Sequence, residues 1–319
     1  MVTIDLITGF LGSGKTTFLK KYAEYLMDQG LHIGILENDF GAINVDMLML
    51  HELRGDQCEL EMIAGGCDAE SHRRRFRTKL ISMRMCGYDR VLVEPSGIYD
   101  VDEFFDVLRE EPLDQWYEIG NVIAILDARL EDNLSQQADY LLASEAAKAG
   151  KVILSHADAA TREQCEDTVA HLNRALEQIR CDRRIDPEKD ILQINLTDLT
   201  KEDLEEVSKC GYRLESYRKM DLENGQSFDS LFFMEEKIKP EALERAVPRL
   251  FSDKSCGEVF RIKGFVKNGA GQWMELNATP DSHTMQPVAV GQEVLIVIGE
   301  HLQEDKIREI LKEEETCQS

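Results

Sequence analysis

Residues 9–17 read Gly-Phe-Leu-Gly-Ser-Gly-Lys-Thr-Thr and constrain this chain more than any other stretch. They fit G-x-x-x-x-G-K-[ST], the pattern of a phosphate-binding loop. Such a loop needs a strand before it and a helix after it, and the flanking pattern supplies both. Val2, Ile4, Leu6 and Ile7 make a buried-strand run over residues 2–8. Phe18, Leu19, Tyr22, Ala23, Tyr25 and Leu26 recur at helical spacing over residues 18–30, with Gly30 as the stop. In that context the glycines let successive N–H groups turn inward, and the helix N-terminus adds positive partial charge. Gly12, Ser13, Gly14, Lys15, Thr16 and Thr17 are therefore candidate nucleotide-binding residues. Lys15 is expected to reach the β and γ phosphates, and the Thr16 hydroxyl to hold Mg²⁺. A bare glycine turn would not need Gly9, Gly14, Lys15 and Thr16 all in register.

Composition narrows the partners. The chain has 319 residues, enough for two ordinary domains, and 43% hydrophobic content supports packed cores. A formal charge of −24 argues against nucleic acid as the main ligand, because phosphate backbones require Lys and Arg. No stretch approaches the roughly 20 apolar residues of a membrane span. Residues 2–8 are too short for a signal sequence and contain Asp5. The expectation is a cytoplasmic protein with no nucleic-acid or membrane partner. The eight cysteines are scattered without a C-x-x-C pair, so reduced thiols are expected.

A second strand over 31–36 leads into Glu37-Asn38-Asp39-Phe40-Gly41. Carboxylates at a strand end in an α/β sheet lie on the ligand side, so Asp39 or Glu37 is a candidate for holding Mg²⁺ or sensing the γ phosphate. The competing reading is a wet acidic turn. Gly65-Gly66 then presents Cys67, followed by Asp68, Glu70 and His72. One thiolate among oxygen donors is a weak zinc pattern, against a lone thiol beside a solvated turn. Arg73, Arg74, Arg75, Arg77 and Lys79 are read as the solvated face of a helix running to Met85. Residues 90–93 form a short buried strand ending in Glu94-Pro95-Ser96-Gly97. Glu94 suits the orientation of Mg²⁺ or its water, and Gly97 admits a backbone N–H close to the γ phosphate. The alternative is a strand that ends in a polar turn.

Further strands at 121–126 and 151–154 flank a helix over 134–149, and the second strand ends in Ser155-His156-Ala157-Asp158. That tetrad stands where GTPases carry Asn-Lys-x-Asp. Asp158 is positioned to accept from the ring N–H and amino group of guanine, bonds that contribute roughly 1.5–3 kcal/mol. His156 replaces the lysine beside the base. GTP is thus the first candidate nucleotide and ATP the second; the competing reading makes Asp158 the cap of the next helix. A surface helix over 162–180, a strand over 190–195 and a short helix over 200–209, opened by a Thr200/Asp203 capping box, complete this part. The composition turns polar over 218–226. Beyond it, strands over 228–234, 258–266, 272–276 and 293–298 and helices over 239–251 and 303–312 outline a smaller module. The expected architecture is an α/β P-loop NTPase domain over 1–220, with a mostly parallel sheet flanked by helices, and an α+β domain over 226–319.

From these motifs the chain resembles the CobW-type P-loop GTPases nearly end to end. The likeness runs through Thr8 to Thr17, Asn38-Asp39-Phe40-Gly41, Val45-Asp46 and Glu94-Pro95-Ser96-Gly97. Residues 257–265, Trp273 and Ile296-Val297-Ile298-Gly299 resemble the CobW C-terminal domain. That family is similar to GTP-dependent metallochaperones of nickel enzymes and to chaperones of cobalamin-dependent enzymes. The resemblance implies a slow, Mg²⁺-dependent GTPase. Lys15, Glu94 and Asp39 are its implied catalytic residues, and Thr16, Glu94 and Asp39 its implied Mg²⁺ ligands. The implied partners are GTP and GDP, a client metalloenzyme or corrinoid protein, and a second subunit in a homodimer. The family's Cys-x-Cys-Cys metal motif is here Cys67-Asp68-Ala69-Glu70. Three thiolates select zinc-like ions and one does not, so Cys67 alone is left as the candidate ligand for Zn²⁺ or Co²⁺. Two other classes stand beside this one: a nucleotide-gated binding module that carries no metal, and a small-molecule kinase, for which no acceptor base is located. Lys15→Ala is expected to abolish nucleotide binding in calorimetry, and unchanged affinity would contradict the loop assignment.

Overall fold

The computed structural model describes residues 1–38, 50–63, 69–97, 99, 101–130, 134–219, 229–234, 238–280, 282–289 and 291–316. The chain divides into two compact units, Met1–Met220 and Asp221–Ser319.

In the first unit strands and helices alternate. The strands are β1 (Val2–Thr8), β2 (Ile33–Asn38), β3 (Cys58–Ile63), β4 (Arg90–Pro95), β5 (Tyr117–Asp127), β6 (Lys151–Ser155) and β7 (Ile191–Gln193). All pair in parallel, in the order β3-β2-β4-β1-β5-β6-β7. Parallel neighbours require crossovers. These contain α1 (Lys15–Asp28), α2 (Ala69–Met83), α3 (Val101–Leu108), α4 (Leu113–Trp116), α5 (Gln136–Lys148) and α6 (Arg162–Gln178), and α7 (Lys201–Val207) follows β7. Helices on both faces bury the central strands completely, hence continuous apolar runs such as Val91-Leu92-Val93 and Val122 to Leu126. The chain leaves β1 for β2 on one side, and β5 lies on the other. That divergence opens a crevice at the carboxyl ends of β1 and β4, where a ligand binds in sheets of this kind.

Helix α1 closes the sheet over this crevice. Its Phe18, Leu19, Tyr22 and Leu26 pack with Ile33, Ile35, Ile123 and Ile125. Each such side chain contributes about 1.5–3 kcal/mol when fully buried. Beneath it lies a polar knot. Asp5 is fully buried in the middle of β1. It accepts from the Tyr22 hydroxyl at 2.9 Å and the Asn121 N–H at 2.8 Å, and Arg90 Nε lies 3.5 Å away. Burial raises the Asp5 pKa, and Arg90, Asn121 and Tyr22 work against that rise. The knot ties β1 to α1, β4 and β5 at once.

Several boundaries differ from the sequence reading for physical reasons. Helix α1 begins three residues before its apolar stripe, because its first turn is the polar end of the phosphate loop. Strand β2 lies two residues later than expected, at 33–38, and so carries Glu37 and Asn38 inside the sheet. Strand β3 was not foreseen, since Glu59 and Glu61 interrupt its apolar run. It is the edge strand, and those carboxylates accept from the Tyr88 hydroxyl at 2.5 Å and the Lys79 ammonium at 2.8 Å. The six described cysteines are free thiols.

The second unit is an antiparallel sheet of β8 (Asp229–Met234), β9 (Glu258–Lys267), β10 (Trp273–Thr279), β11 (Ser282–Val288) and β12 (Val294–Glu300), ordered β11-β10-β9-β12-β8. Helices α8 (Pro240–Ser252) and α9 (Glu304–Thr316) give Leu243, Val247, Ile307 and Ile310 to a core with Ile262, Leu276 and Val297. Strand β11 went unread because it is a polar edge strand containing Pro287.

Asp5→Ala is expected to destabilise the first unit by about 3–5 kcal/mol, because it leaves Arg90 and two donors buried without their acceptor. Urea unfolding measures the loss, and one below about 1 kcal/mol would mean that the knot does not hold the unit together.

Candidate nucleotide-binding site

The loop between β1 and α1 is held from behind at several points. Gly9 has φ 148°, and a Cβ there would lie 2.1 Å from the Ile125 carbonyl oxygen, so no other residue fits. The Ser155 hydroxyl, at the end of β6, is within hydrogen-bond distance of the Ser13 carbonyl (2.7 Å) and the Leu126 carbonyl (3.1 Å). Helix α1 opens on Gly14, whose φ is 94°. Gly97 follows β4, and a Cβ on it would lie 2.9 Å from the Leu11 nitrogen, so the two loops abut. Thr17 is exposed on the first turn of α1.

Lys15 is 6% exposed, and its ammonium donates to the carbonyls of Gly9 (2.8 Å) and Phe10 (3.4 Å). The Thr16 hydroxyl donates to Glu94 Oε1 at 2.8 Å. The fold thus brings together two residues 78 positions apart, both singled out as magnesium ligands from the sequence. A hydroxyl and a carboxylate side by side are hard oxygen donors of the kind Mg²⁺ takes. Glu37 is buried one strand away, in register with Glu94. Asn38 is buried beside it, and neither side-chain atom has a hydrogen-bond partner among the described residues. Asp39, Val45-Asp46, Cys67 and Asp68 lie outside the described residues.

On the other side of the loop, His156 has a left-handed backbone with φ 53°. Its Nδ1 is 2.9 Å from Asp127 Oδ2, so the ring sits against Asp127. Arg129 grips the same carboxylate, with Nε 3.1 Å from Oδ1 and a terminal nitrogen 2.9 Å from Oδ2. Burial pushes the Asp127 carboxyl up, but the hydrogen bonds from His156 and Arg129 outweigh it and hold the carboxyl well below its usual range. Asp158 is exposed beyond β6. It does not cap α6: Thr161 does, in a reciprocal capping box with Gln164 at 3.2 and 2.8 Å.

Asp127 and Arg129 entered no sequence-derived site, nor did Glu145. Glu145 is 1% exposed on α5, and its Oε1 accepts from the Thr8 hydroxyl (3.1 Å) and the Gly9 N–H (3.2 Å). The available signal was one acidic residue in the otherwise small and apolar run Leu-Leu-Ala-Ser-Glu-Ala-Ala, 141–147. His72 is buried, its Nδ1 3.6 Å from Glu103. Among the described residues no group of three or more His, Cys, Asp or Glu is placed to hold a metal. The arginines of α2 are not all solvated: Arg73 and Arg77 both bind Glu110, at 2.6 and 3.0 Å.

A parallel sheet with this loop after its first strand defines a P-loop NTPase fold. Residues 3–185 match the CobW/HypB/UreG nucleotide-binding domain, and residues 230–314 match the cobalamin synthesis protein CobW C-terminal domain. The chain belongs to the CobW/HypB/UreG family of P-loop GTPases. It is 30% identical over 186 residues to the zinc chaperone YjiA of Escherichia coli K12, a match covering 54% of this chain and 55% of that one. It is 28% identical over 164 residues to the zinc chaperone YeiR of the same organism, covering 51% and 49%. It is 22% identical over 238 residues to the zinc-regulated GTPase metalloprotein activator 1 of Dictyostelium discoideum, covering 62% and 49%. The chain thus spans about half the length of these relatives. No helix among the described residues is long and apolar enough to cross a membrane.

Asp127→Asn weakens the grip on Arg129 and His156 and is expected to cost about 1–2 kcal/mol at pH 7. Because the folded carboxyl titrates below its unfolded value, that contribution is full above the ordinary carboxylate range and fades as pH falls through the lowered one. Denaturant unfolding of both proteins at pH 7 and at acid pH should show the gap narrowing; a gap that widens toward acid would refute the linkage.

Proposed function

We propose that this chain is a Mg²⁺-dependent GTP-binding protein that hydrolyses GTP slowly and uses it to assist delivery of a metal or metallocofactor to a client protein. The observation that carries this reading is the 2.8 Å contact between Thr16 and Glu94 at a loop whose only buried ammonium, Lys15, rests on that loop's own carbonyls. Lys15 exchanges those carbonyls for the β and γ phosphates. Loop amides from Gly12 to Thr17 donate to the phosphate oxygens. Thr16 and Glu94, with Asp39, hold Mg²⁺, which when bound neutralises charge on the β and γ oxygens. Asp39 and the Gly97 N–H sense the γ phosphate. Asp158 accepts from guanine, and His156, oriented by Asp127, borders the base. Catalysis here is positioning and charge stabilisation, completed by a partner or a second subunit.

Two zinc chaperones and a metalloprotein activator among the relatives support the delivery reading. The run Cys67-Asp68-Ala69-Glu70 favours a second one, in which GTP gates assembly with a client metalloenzyme or corrinoid protein and no metal is carried. A Zn²⁺ or Co²⁺ titration separates them: stoichiometric, Cys67-dependent, nucleotide-linked binding supports delivery, and no binding supports the gate. For the site itself, Thr16→Ala and Glu94→Gln are each expected to weaken GTP binding about tenfold to a hundredfold in magnesium and to leave affinity in EDTA unchanged. GTP affinity in the unmodified protein that does not depend on magnesium would refute the assignment of these two residues.

A further inference from the structure

Behind the phosphate loop sits a carboxyl group that the nucleotide reading does not use. Glu145 projects from α5, and both donors that reach it, the Thr8 hydroxyl and the Gly9 N–H, converge on Oε1. Its Oε2 is equally buried and has no hydrogen-bond partner among the described residues. The charged group that acts on it is Lys15, whose ammonium rests on the carbonyls of Gly9 and Phe10. The other charged groups of α5 are paired elsewhere, Asp139 with His171 of α6 at 2.6 Å and Lys148 with Asp102 of α3 at 3.5 Å. The first N–H of the loop therefore points backward, at Glu145, and is fixed there.

We propose that Glu145 is the positioning residue of the phosphate loop and that it takes up one proton as the loop takes up a polyphosphate. This rests on the reading of residues 9–17 as the nucleotide site. With one oxygen accepting both donors, the hydrogen bonds persist in either protonation state, so the loop keeps its shape. The charge does not persist at equal cost. Above its free-state pKa the group is a carboxylate, and Lys15 compensates it. A polyphosphate draws that ammonium forward and adds negative charge on the far side of Gly9. The carboxylate loses its counter-charge and faces a like charge, and both changes favour its protonation by solvent. Burial, the largest influence, already pushes the carboxyl up to about 8, against the pull of Lys15, Thr8 and the Gly9 N–H. The bound value is higher still. By linkage, affinity is flat below the free-state pKa and falls with rising pH between the free and bound values, by at most about tenfold per pH unit.

The test measures the Kd of Mg²⁺–GDP from pH 7 to 9.5 for the full chain and for Glu145→Gln, whose amide oxygen accepts from the same two donors. Titration of the nucleotide itself is common to both proteins and cancels in the ratio. The ratio of the two Kd values is expected to be constant below pH 8 and to rise toward about tenfold per unit above it. At pH 8.5 the binding enthalpy of the unmodified protein should depend on the ionisation enthalpy of the buffer, reporting proton uptake, and that of Glu145→Gln should not. Parallel profiles, or no proton uptake by the unmodified protein, would overturn the proposal and leave the nucleotide site standing. Absence of GDP binding by the unmodified protein at every pH would instead remove the nucleotide reading. If Glu145→Gln does not fold, the buffer dependence of the unmodified protein alone decides.

Discussion

Backbone amides can face a polyphosphate only if the loop that carries them is held from behind, and here each hold is a buried contact. Gly9 is pressed against the Ile125 carbonyl of β5 and donates to Glu145 of α5. The Ser13 carbonyl is held by Ser155 of β6, and Leu11 abuts Gly97 after β4. Four elements far apart in sequence thus converge on nine residues. Loop geometry that free glycines would lose to entropy is fixed by the sheet. The Asp5 knot extends the same logic a turn lower, since the loop can be no better placed than the strand and helix that bracket it.

The second constraint is charge. This acidic chain concentrates carboxylates at the very place where an anion is to bind: Glu37, Glu94, Asp127 and Glu145 are all mostly buried around the loop. Three of them are offset differently. Asp127 is neutralised by Arg129 and His156, Glu94 accepts from Thr16, and Glu145 leans on Lys15. A site with one lysine facing this much acid cannot hold a triphosphate by ammonium charge alone. A divalent cation held between Thr16 and Glu94, as proposed, would add positive charge beside that lysine.

What the sequence disclosed follows from the range of each interaction. The strand–loop–helix around Lys15 is local, its motif has a fixed spacing, and it was legible but for the first turn of α1. The Glu94 assignment needed only a short apolar run that ends in a carboxylate. Glu145 reaches Thr8 across 137 positions and Asp127 meets His156 beyond the end of the next strand, pairs that no periodicity marks; the Asp127–Arg129 contact is local but belongs to no motif. Strand β3 was hidden because an edge strand tolerates charges on its open side, which erases the alternation that identifies strands. Asp158 was correctly located at the end of β6, but its competing role as a helix cap could be dismissed only once Thr161 and Gln164 were seen to close the capping box themselves.

The order of the strands also bears on how a bound nucleotide could be felt elsewhere. Glu94 of β4 lies in register with Glu37 of β2, and Glu37 with Met62 of β3. Asn38 is likewise in register with Ile63, the last residue of β3 before the segment that carries Cys67. The Ser96 N–H donates to the Asn38 carbonyl at 2.9 Å, so the strap after β4 is tied to the end of β2 as well. Three neighbouring strand ends therefore stand in register, with Glu94 at one side and Ile63 at the other. The Asn38 side-chain amide, buried and without a hydrogen-bond partner among the described residues, stands in the middle of these strand ends.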